Sequence, residues 1–164
     1  MKKKPQKLLP EKRKKPEKKS SKAMHARFRY GPLVHYPHLA AKEVVVWDRF
    51  IKNFPDYAEE ADYDVTCGEK DVLASDVPEY SRKDWEYLRS WKIDVVVIKG
   101  GVYYVIEVRP RAGLGAIGEI LSKATMFQQE HPEIPEVEPV LVTDEERPNV
   151  RELCAARDIG YIIV

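Results

Sequence analysis

The feature that most constrains the fold is a pair of apolar, β-branched runs separated by a short glycine-containing turn. Residues 93–98 read IDVVVI and residues 102–108 read VYYVIEV, with Lys99, Gly100 and Gly101 between them. Two glycines between such runs are typical of a tight β-hairpin, because both central residues of the turn need a positive φ. The runs are almost wholly apolar, so we expect both faces of the sheet to be covered by other segments.

Each of these runs contains a single carboxylate. If the two glycines form the turn without a bulge, Asp94 and Glu107 lie directly opposite each other on neighbouring strands. A buried carboxylate without a partner is costly and takes up a proton instead. Two close carboxylates, with the carbonyl of Val108 and water, would suit Mg²⁺. The alternative is a structural role, in which Arg109 or Arg111 neutralises the acids.

The surrounding sequence alternates between helical and extended patterns and predicts an α/β fold with a mixed sheet. Leu39, Glu43, Trp47, Phe50 and Phe54 recur at steps of three and four, which places Glu43 beside the apolar face of a helix. The predicted helices cover residues 38–54, about 82–90, 114–129 and 149–159, the last ended by Gly160, and the remaining strands cover residues 63–67, 140–143 and 161–164.

The charge is divided between a basic amino-terminal arm, residues 1–30, and an acidic domain, residues 31–164. Residues 1–29 contain 13 Lys or Arg and 2 Asp or Glu, a net charge of +11, whereas the remainder of the 164-residue chain carries 15 basic and 25 acidic side chains, a net charge of −10. Residues 1–22 contain few large apolar side chains, so we expect them to be disordered unless a partner binds them.

The arm is typical of a segment that binds a polyanion, either nucleic acid, with DNA expected, or an acidic protein surface. Cations and aromatics alternate over residues 27–30, a pattern that suits phosphate contact and base stacking. The alternatives are a solubilising tail and a localisation patch. A homo-oligomer or larger assembly is compatible with such an arm. The candidate nucleic-acid contacts are Lys12, Arg13, Lys14, Lys15, Arg27, Arg29 and, beyond the second apolar run, Arg111.

Several classes of protein are disfavoured by the sequence. The apolar runs are shorter than the roughly 18–20 residues of a membrane-spanning helix, and the lysine-rich start lacks the apolar region of a secretory signal. Cys67 and Cys154 match no zinc-ligand spacing and are expected to be reduced, partly buried thiols. We therefore expect a cytoplasmic protein.

The order α-β-β-β-α-β together with Asp94 and then Glu107-Val108-Arg109 resembles the PD-(D/E)XK, or restriction-endonuclease-like, nuclease superfamily. The resemblance covers about residues 38–164 and implies that Asp94 and Glu107 bind Mg²⁺, with Glu43 on the preceding helix completing the metal site. It also implies a lysine that positions the attacking water. Arg109 stands where that lysine is expected, and arginine keeps the charge but cannot lose a proton.

Lys123, on the helix that follows, is the candidate substitute for the missing lysine. It lies four residues after Glu119, so the alternative is an exposed ion pair on the helix surface. Glu43 has an alternative too, as a partly buried acid paired with an arginine.

Gly113, Gly115 and Gly118 match the G-x-G-x-x-G pattern of dinucleotide-binding proteins. Glu107 interrupts the preceding strand, and the turn between that strand and the glycines is too long for this kind of site. We interpret the glycines as a flexible loop at the mouth of the site or as a place where backbone approaches phosphate.

Two functions follow from these observations. The first is a Mg²⁺-dependent DNA endonuclease with Asp94, Glu107, Arg109 and Lys123 as its catalytic residues. The second is a nuclease fold without catalysis, which serves as a structural or adaptor subunit of a nucleoprotein assembly such as the head or neck of a phage particle. In that case the protein would reside inside the particle, anchored by its basic arm.

Overall fold

The computed structural model describes residues 27–68 and 90–164, which form a mixed six-stranded sheet flanked by helices. The strands are β1 (Phe28–Arg29), β2 (Glu60–Cys67), β3 (Trp91–Lys99), β4 (Val102–Val108), β5 (Val137–Thr143) and β6 (Gly160–Ile163), and the helices are α1 (Ala41–Asn53), α2 (Leu114–Glu130) and α3 (Pro148–Ala155). The predicted α/β class with a mixed sheet is confirmed.

The strands are arranged in the order in which they occur along the chain, from β1 to β6. The first four are antiparallel, and β4, β5 and β6 are parallel. Parallel neighbours need a crossover connection, and α2 and α3 supply the two that this sheet requires. The carboxyl ends of β4 and β5 consequently meet at one edge of the sheet, beside the start of α2.

The hairpin between β3 and β4 has the predicted turn. Gly100 and Gly101 both have positive φ, 57° and 87°, and Lys99 pairs with Val102. The pairing continues without a bulge to Val95 and Ile106, and beyond it Asp94 Oδ2 accepts a hydrogen bond from the backbone nitrogen of Val108. The predicted register is therefore confirmed from Lys99 and Val102 as far as Val95 and Ile106, and its continuation would set Asp94 opposite Glu107.

Both faces of the sheet are buried, as the apolar strands predict. Helix α1 covers one face through Trp47 and Phe50, whose rings stack at 4.9 Å between centroids, and Trp47 Nε1 donates a hydrogen bond of 3.1 Å to Tyr63 Oη. The other face packs against α2 and α3, with Ile120 and Phe127 fully buried. The hairpin that carries the two carboxylates thus lies inside the protein, where charge must be compensated.

The sheet begins within the segment that the sequence assigned to the arm. Phe28 pairs with Ala61 and packs edge-on against Tyr63 at 5.8 Å, while Tyr30 is buried and its hydroxyl donates a 2.8 Å hydrogen bond to the carbonyl of Phe54. The aromatic side chains predicted to stack on bases therefore contribute to the core instead. Residues 1–26 lie outside the described part of the chain.

One predicted boundary is wrong and one predicted helix lies outside the described residues. The short helix expected near 82–90 lies outside the described residues apart from Ser90. Gly160 does not end a helix, because α3 stops at Ala155 and Asp158 adopts the left-handed conformation (φ 53°), so Gly160 opens β6. Over the described ranges, no helix is long and apolar enough to cross a membrane.

Candidate functional site

A buried ion pair lies where β4 packs against α2. Lys123 Nζ is 2.6 Å from Glu107 Oε2 and 2.9 Å from Glu119 Oε1. The side chain of Glu107 is fully buried and that of Lys123 is 5% exposed. Ammonium and carboxylate are both removed from water, so each depends on the other for compensation of its charge.

Arg109 contacts the same glutamate from the opposite side. Its Nη2 binds Glu107 Oε1 and lies 2.9 Å from Glu119 Oε2, and its Nη1 is 3.9 Å from Glu43 Oε1 on α1. Glu43 also accepts a 2.8 Å hydrogen bond from the backbone nitrogen of Ala40 at the start of that helix. Arg109 therefore joins carboxylates that belong to three different elements.

Asp94 differs from Glu107 in what it contacts. Its Oδ2 accepts a 2.8 Å hydrogen bond from the backbone nitrogen of Val108, and the residue is 5% exposed. Burial, followed by the charge of Glu107, raises the pKa of Asp94 to about 7. The carboxylate thus has a backbone donor, and no lysine or arginine in the described ranges makes an ion pair with it.

The pKa values of Glu107, Lys123 and Glu119 depend on the balance between burial and neighbouring charge. Burial raises the pKa of Glu107 even though Lys123 opposes the shift, since the carboxylate is wholly removed from water. Burial alone would lower the pKa of Lys123, but Glu107 outweighs it and raises that pKa. The pKa of Glu119, which is less buried, falls despite its desolvation because it contacts Lys123 and Arg109.

We call these six side chains the acid–base cluster: Glu43, Asp94, Glu107, Arg109, Glu119 and Lys123. All five residues predicted for catalysis or metal binding belong to it. The alternative interpretation, an exposed pair of Glu119 and Lys123, is confirmed in the pairing and wrong in the exposure, because Lys123 is buried against Glu107. The sequence missed Glu119 as a member, although its spacing of four from Lys123 was a usable signal.

The three predicted nucleic-acid contacts that lie in the described ranges, Arg27, Arg29 and Arg111, are not part of the cluster. Arg111 is 71% exposed and pairs with Glu145 at 2.9 Å, so it does not neutralise Asp94 or Glu107. Arg27 lies 3.1 Å from Glu60 and 3.6 Å from Asp62 on the neighbouring strand. Arg29 is exposed on β1, and the four predicted contacts at positions 12–15 lie outside the described residues.

The glycine-rich segment does not form the expected loop. Gly113 precedes α2, but Gly115 and Gly118 lie within the helix. A Cβ atom at either of these two positions would meet nothing within 4 Å. Neither glycine is therefore required by a close approach of backbone, and the resemblance to a dinucleotide site has no structural counterpart here.

The segment between β4 and α2 is attached to the end of β5. The backbone nitrogen of Arg109 donates to Val142 O at 2.9 Å, that of Arg111 to Asp144 Oδ1 at 2.8 Å and that of Ala112 to Thr143 Oγ1 at 3.0 Å. Thr143 is fully buried. These bonds set where α2 begins and hence where Lys123 meets Glu107.

Replacing Thr143 by valine is expected to lower the free energy of unfolding by about 1–3 kcal/mol, because the buried nitrogen of Ala112 loses its acceptor while side-chain shape is kept. Urea denaturation followed by circular dichroism measures this loss. The matched control is Thr125→Val, since Thr125 is exposed on α2 and its hydroxyl bonds within the helix. Equal stability losses for the two variants would contradict the role given to Thr143.

The acid–base cluster contains four carboxylates and two cations, a formal excess of two negative charges. Within the described ranges, no three His, Cys, Asp or Glu side chains are grouped as ready metal ligands. Mg²⁺ needs fewer, since proteins commonly hold it through one or two carboxylates together with water and substrate phosphate. The oxygen donors of Asp94 and Glu107 therefore fit this ion in their chemistry, with Arg109 as the group that competes for it.

No model of a known protein family matches the chain, and no curated protein matches it either. A solved structure described as a protein of unknown function, AF1548, has a TM-score of 0.48 to this one with 13% identical residues, over 69% of this chain and 53% of that chain. The chain thus spans about half the length of that protein. The fold and site together define a mixed-sheet α/β protein with a buried acid–base cluster at the carboxyl end of β4.

Proposed function

We propose that this protein is a Mg²⁺-dependent phosphodiesterase of the PD-(D/E)XK type that acts on nucleic acid, with DNA as the expected substrate. The observation that carries the proposal is the placement of Asp94, Glu107 and Lys123 at one point of the sheet. Among the described residues no lysine or arginine makes an ion pair with Asp94, and burial, followed by the charge of Glu107, raises its pKa.

Each residue of the cluster has a role in this proposal. Asp94 and Glu107 would hold the metal, and Glu43 would support it from α1. Bound Mg²⁺ supplies a Lewis acid and lowers the pKa of a coordinated water. Lys123, which touches Glu107, would substitute for the missing lysine and orient that water, and Arg109 would contact the scissile phosphate through its planar donors.

In this proposal the basic arm provides affinity for nucleic acid that does not depend on the base sequence. Each lysine that neutralises a phosphate releases condensed counterions, so binding should weaken steeply as salt rises. The domain itself is acidic, with a net charge of −10 over residues 30–164. We therefore expect a polyanion to bind the arm and to contact the acidic domain only at the acid–base cluster.

The test is a cleavage assay on the full-length protein with plasmid, single-stranded and branched DNA in Mg²⁺ and in Mn²⁺. We expect metal-dependent cleavage that disappears in Glu107→Ala. Calorimetric titration of Mg²⁺ into both proteins should show binding to the wild type that the variant lacks. Absence of cleavage and of metal binding in a folded wild-type protein would refute the enzymatic proposal.

A second function is favoured by one observation, which is the occupation of both Glu107 oxygens by Lys123 and Arg109. In this case the nuclease fold has lost catalysis, and the protein is a structural or adaptor subunit of a nucleoprotein assembly such as a phage particle. The basic arm would then contact nucleic acid or an acidic partner. DNA binding that persists without cleavage in either metal, and that is lost on deletion of residues 1–26, would support this function.

A further inference from the structure

We propose that Arg109 is a resident counter-ion of the acid–base cluster, which competes with the metal and weakens its binding until a substrate phosphate draws the guanidinium away. The inference rests on the proposed function, since it assumes that Asp94 and Glu107 can hold a divalent cation. It adds a coupling between two ligands to that function: binding of phosphate strengthens binding of the metal, and binding of the metal strengthens binding of phosphate.

The contacts of Arg109 make it a substitute for a bound cation. Its guanidinium contacts Glu107 and Glu119 and lies 3.9 Å from Glu43, so one positive group serves carboxylates from β4, α2 and α1. Because arginine does not lose its proton in proteins, this charge persists at every relevant pH. Its planar donors fit a phosphate as well as a carboxylate, so a phosphate is a competent alternative partner.

Arg109 is the member of the cluster that is able to leave. Its side chain is 38% exposed, whereas that of Lys123 is 5% exposed and contacts both Glu107 and Glu119. The backbone nitrogen of Arg109 is bound to Val142 O, so the side chain can rotate outward while the strand end stays in place. Its departure frees Glu107 Oε1 next to Asp94, while Lys123 still compensates Oε2.

The exchange has a thermodynamic consequence. If a phosphate binds Arg109, the carboxylates lose a competing cation and bind Mg²⁺ more tightly; by reciprocity, Mg²⁺ must strengthen phosphate binding by the same factor. Direct contact between Mg²⁺ and a substrate phosphate also couples the two affinities. The signature of the proposed role is therefore the part of the coupling that is lost when Arg109 is replaced.

The experiment compares wild type with Arg109→Met and Arg109→Gln. Calorimetry measures Mn²⁺ and Mg²⁺ affinity of each protein, first alone and then saturated with a short phosphorothioate oligonucleotide that resists cleavage. We expect both variants to bind metal about tenfold more tightly than wild type without the oligonucleotide, within the usual range of coupling between two sites. The oligonucleotide should tighten metal binding of the wild type by a larger factor than that of either variant, because only the wild type has a competing arginine to release.

Arg151→Met is the matched control, because Arg151 also pairs with a glutamate, Glu146 at 2.7 Å, but lies on α3 outside the cluster. Its metal affinity should equal that of the wild type. Metal affinity in both Arg109 variants no tighter than in wild type that itself binds metal would overturn this inference and leave the proposed function standing. If neither wild type nor variants bind metal, both are overturned.

Discussion

Replacing Asp94 by asparagine is expected to abolish metal-dependent cleavage and, at the same time, to make the metal-free protein more stable at pH 8. Cleavage should fall about a thousandfold, because metal coordination contributes several kcal/mol to transition-state stabilisation and each ~1.4 kcal/mol is a factor of ten. Asparagine keeps an oxygen for the backbone nitrogen of Val108, so the local hydrogen bond is retained.

The gain in stability follows from the pKa of Asp94. The folded protein holds a proton on this group up to a pKa of about 7, whereas the unfolded chain releases it near 3.8. Folding is therefore favoured by this group at low pH, and that contribution is lost as pH rises from about 4 to about 7. Removing the ionisable group should stabilise the protein at pH 8 by roughly 2–4 kcal/mol and have little effect at pH 4.

Urea denaturation at pH 4.5 and pH 8, with EDTA or with Mg²⁺, measures both effects. Mg²⁺ should recover stability of the wild type at pH 8, because it binds the ionised folded site, and should not recover that of Asp94→Asn. Asp56→Asn serves as control, since Asp56 is exposed after α1. A variant that is inactive and also less stable at pH 8 would mean that Asp94 has a structural role.

Replacing Lys123 by methionine is expected to cause the largest loss of stability of the single changes considered. Loss of one partner from a buried ion pair costs about 3–5 kcal/mol, because the remaining charge is left in the interior. Arg109 still contacts Glu107 in this variant, so we expect a loss of about 3 kcal/mol, at the lower end of that range. Chemical denaturation at pH 7.5 gives the free energy directly.

Two further proteins make this prediction specific. Lys52→Met alters an exposed lysine on α1 and should change stability by less than about 0.5 kcal/mol. The double variant Lys123→Met with Glu107→Gln should recover part of the loss, because the uncompensated carboxylate is gone. If the stability loss of the double variant equals the sum of the losses in Lys123→Met and Glu107→Gln, the two residues are not energetically coupled. That result would contradict the coupling that their 2.6 Å contact indicates.

The sequence determined the elements that depend on local chemistry. Two glycines with positive φ are needed by a tight hairpin, and the period of a strand then places Asp94 opposite Glu107, so register could be read from spacing alone. The apolar content of β3 and β4 likewise predicted that other segments cover both faces of the sheet. The restriction-endonuclease-like assignment rests on this order of elements and stays a proposal.

The tertiary structure decided which charged groups meet. Spacing allowed Lys123 to be a surface residue, but the rotation of α2 on the sheet, set by its attachment to β5, buries it against Glu107. The fold also brings Arg109 to Glu43, Glu107 and Glu119. It pairs Arg111 with Glu145. Charge pairing acts over a few ångströms between residues distant in sequence, so periodicity carries no information about it. The positions of the carboxylates Asp94 and Glu107 could be predicted from the sequence pattern. The cations that neutralise Glu107 could be identified only from the tertiary structure.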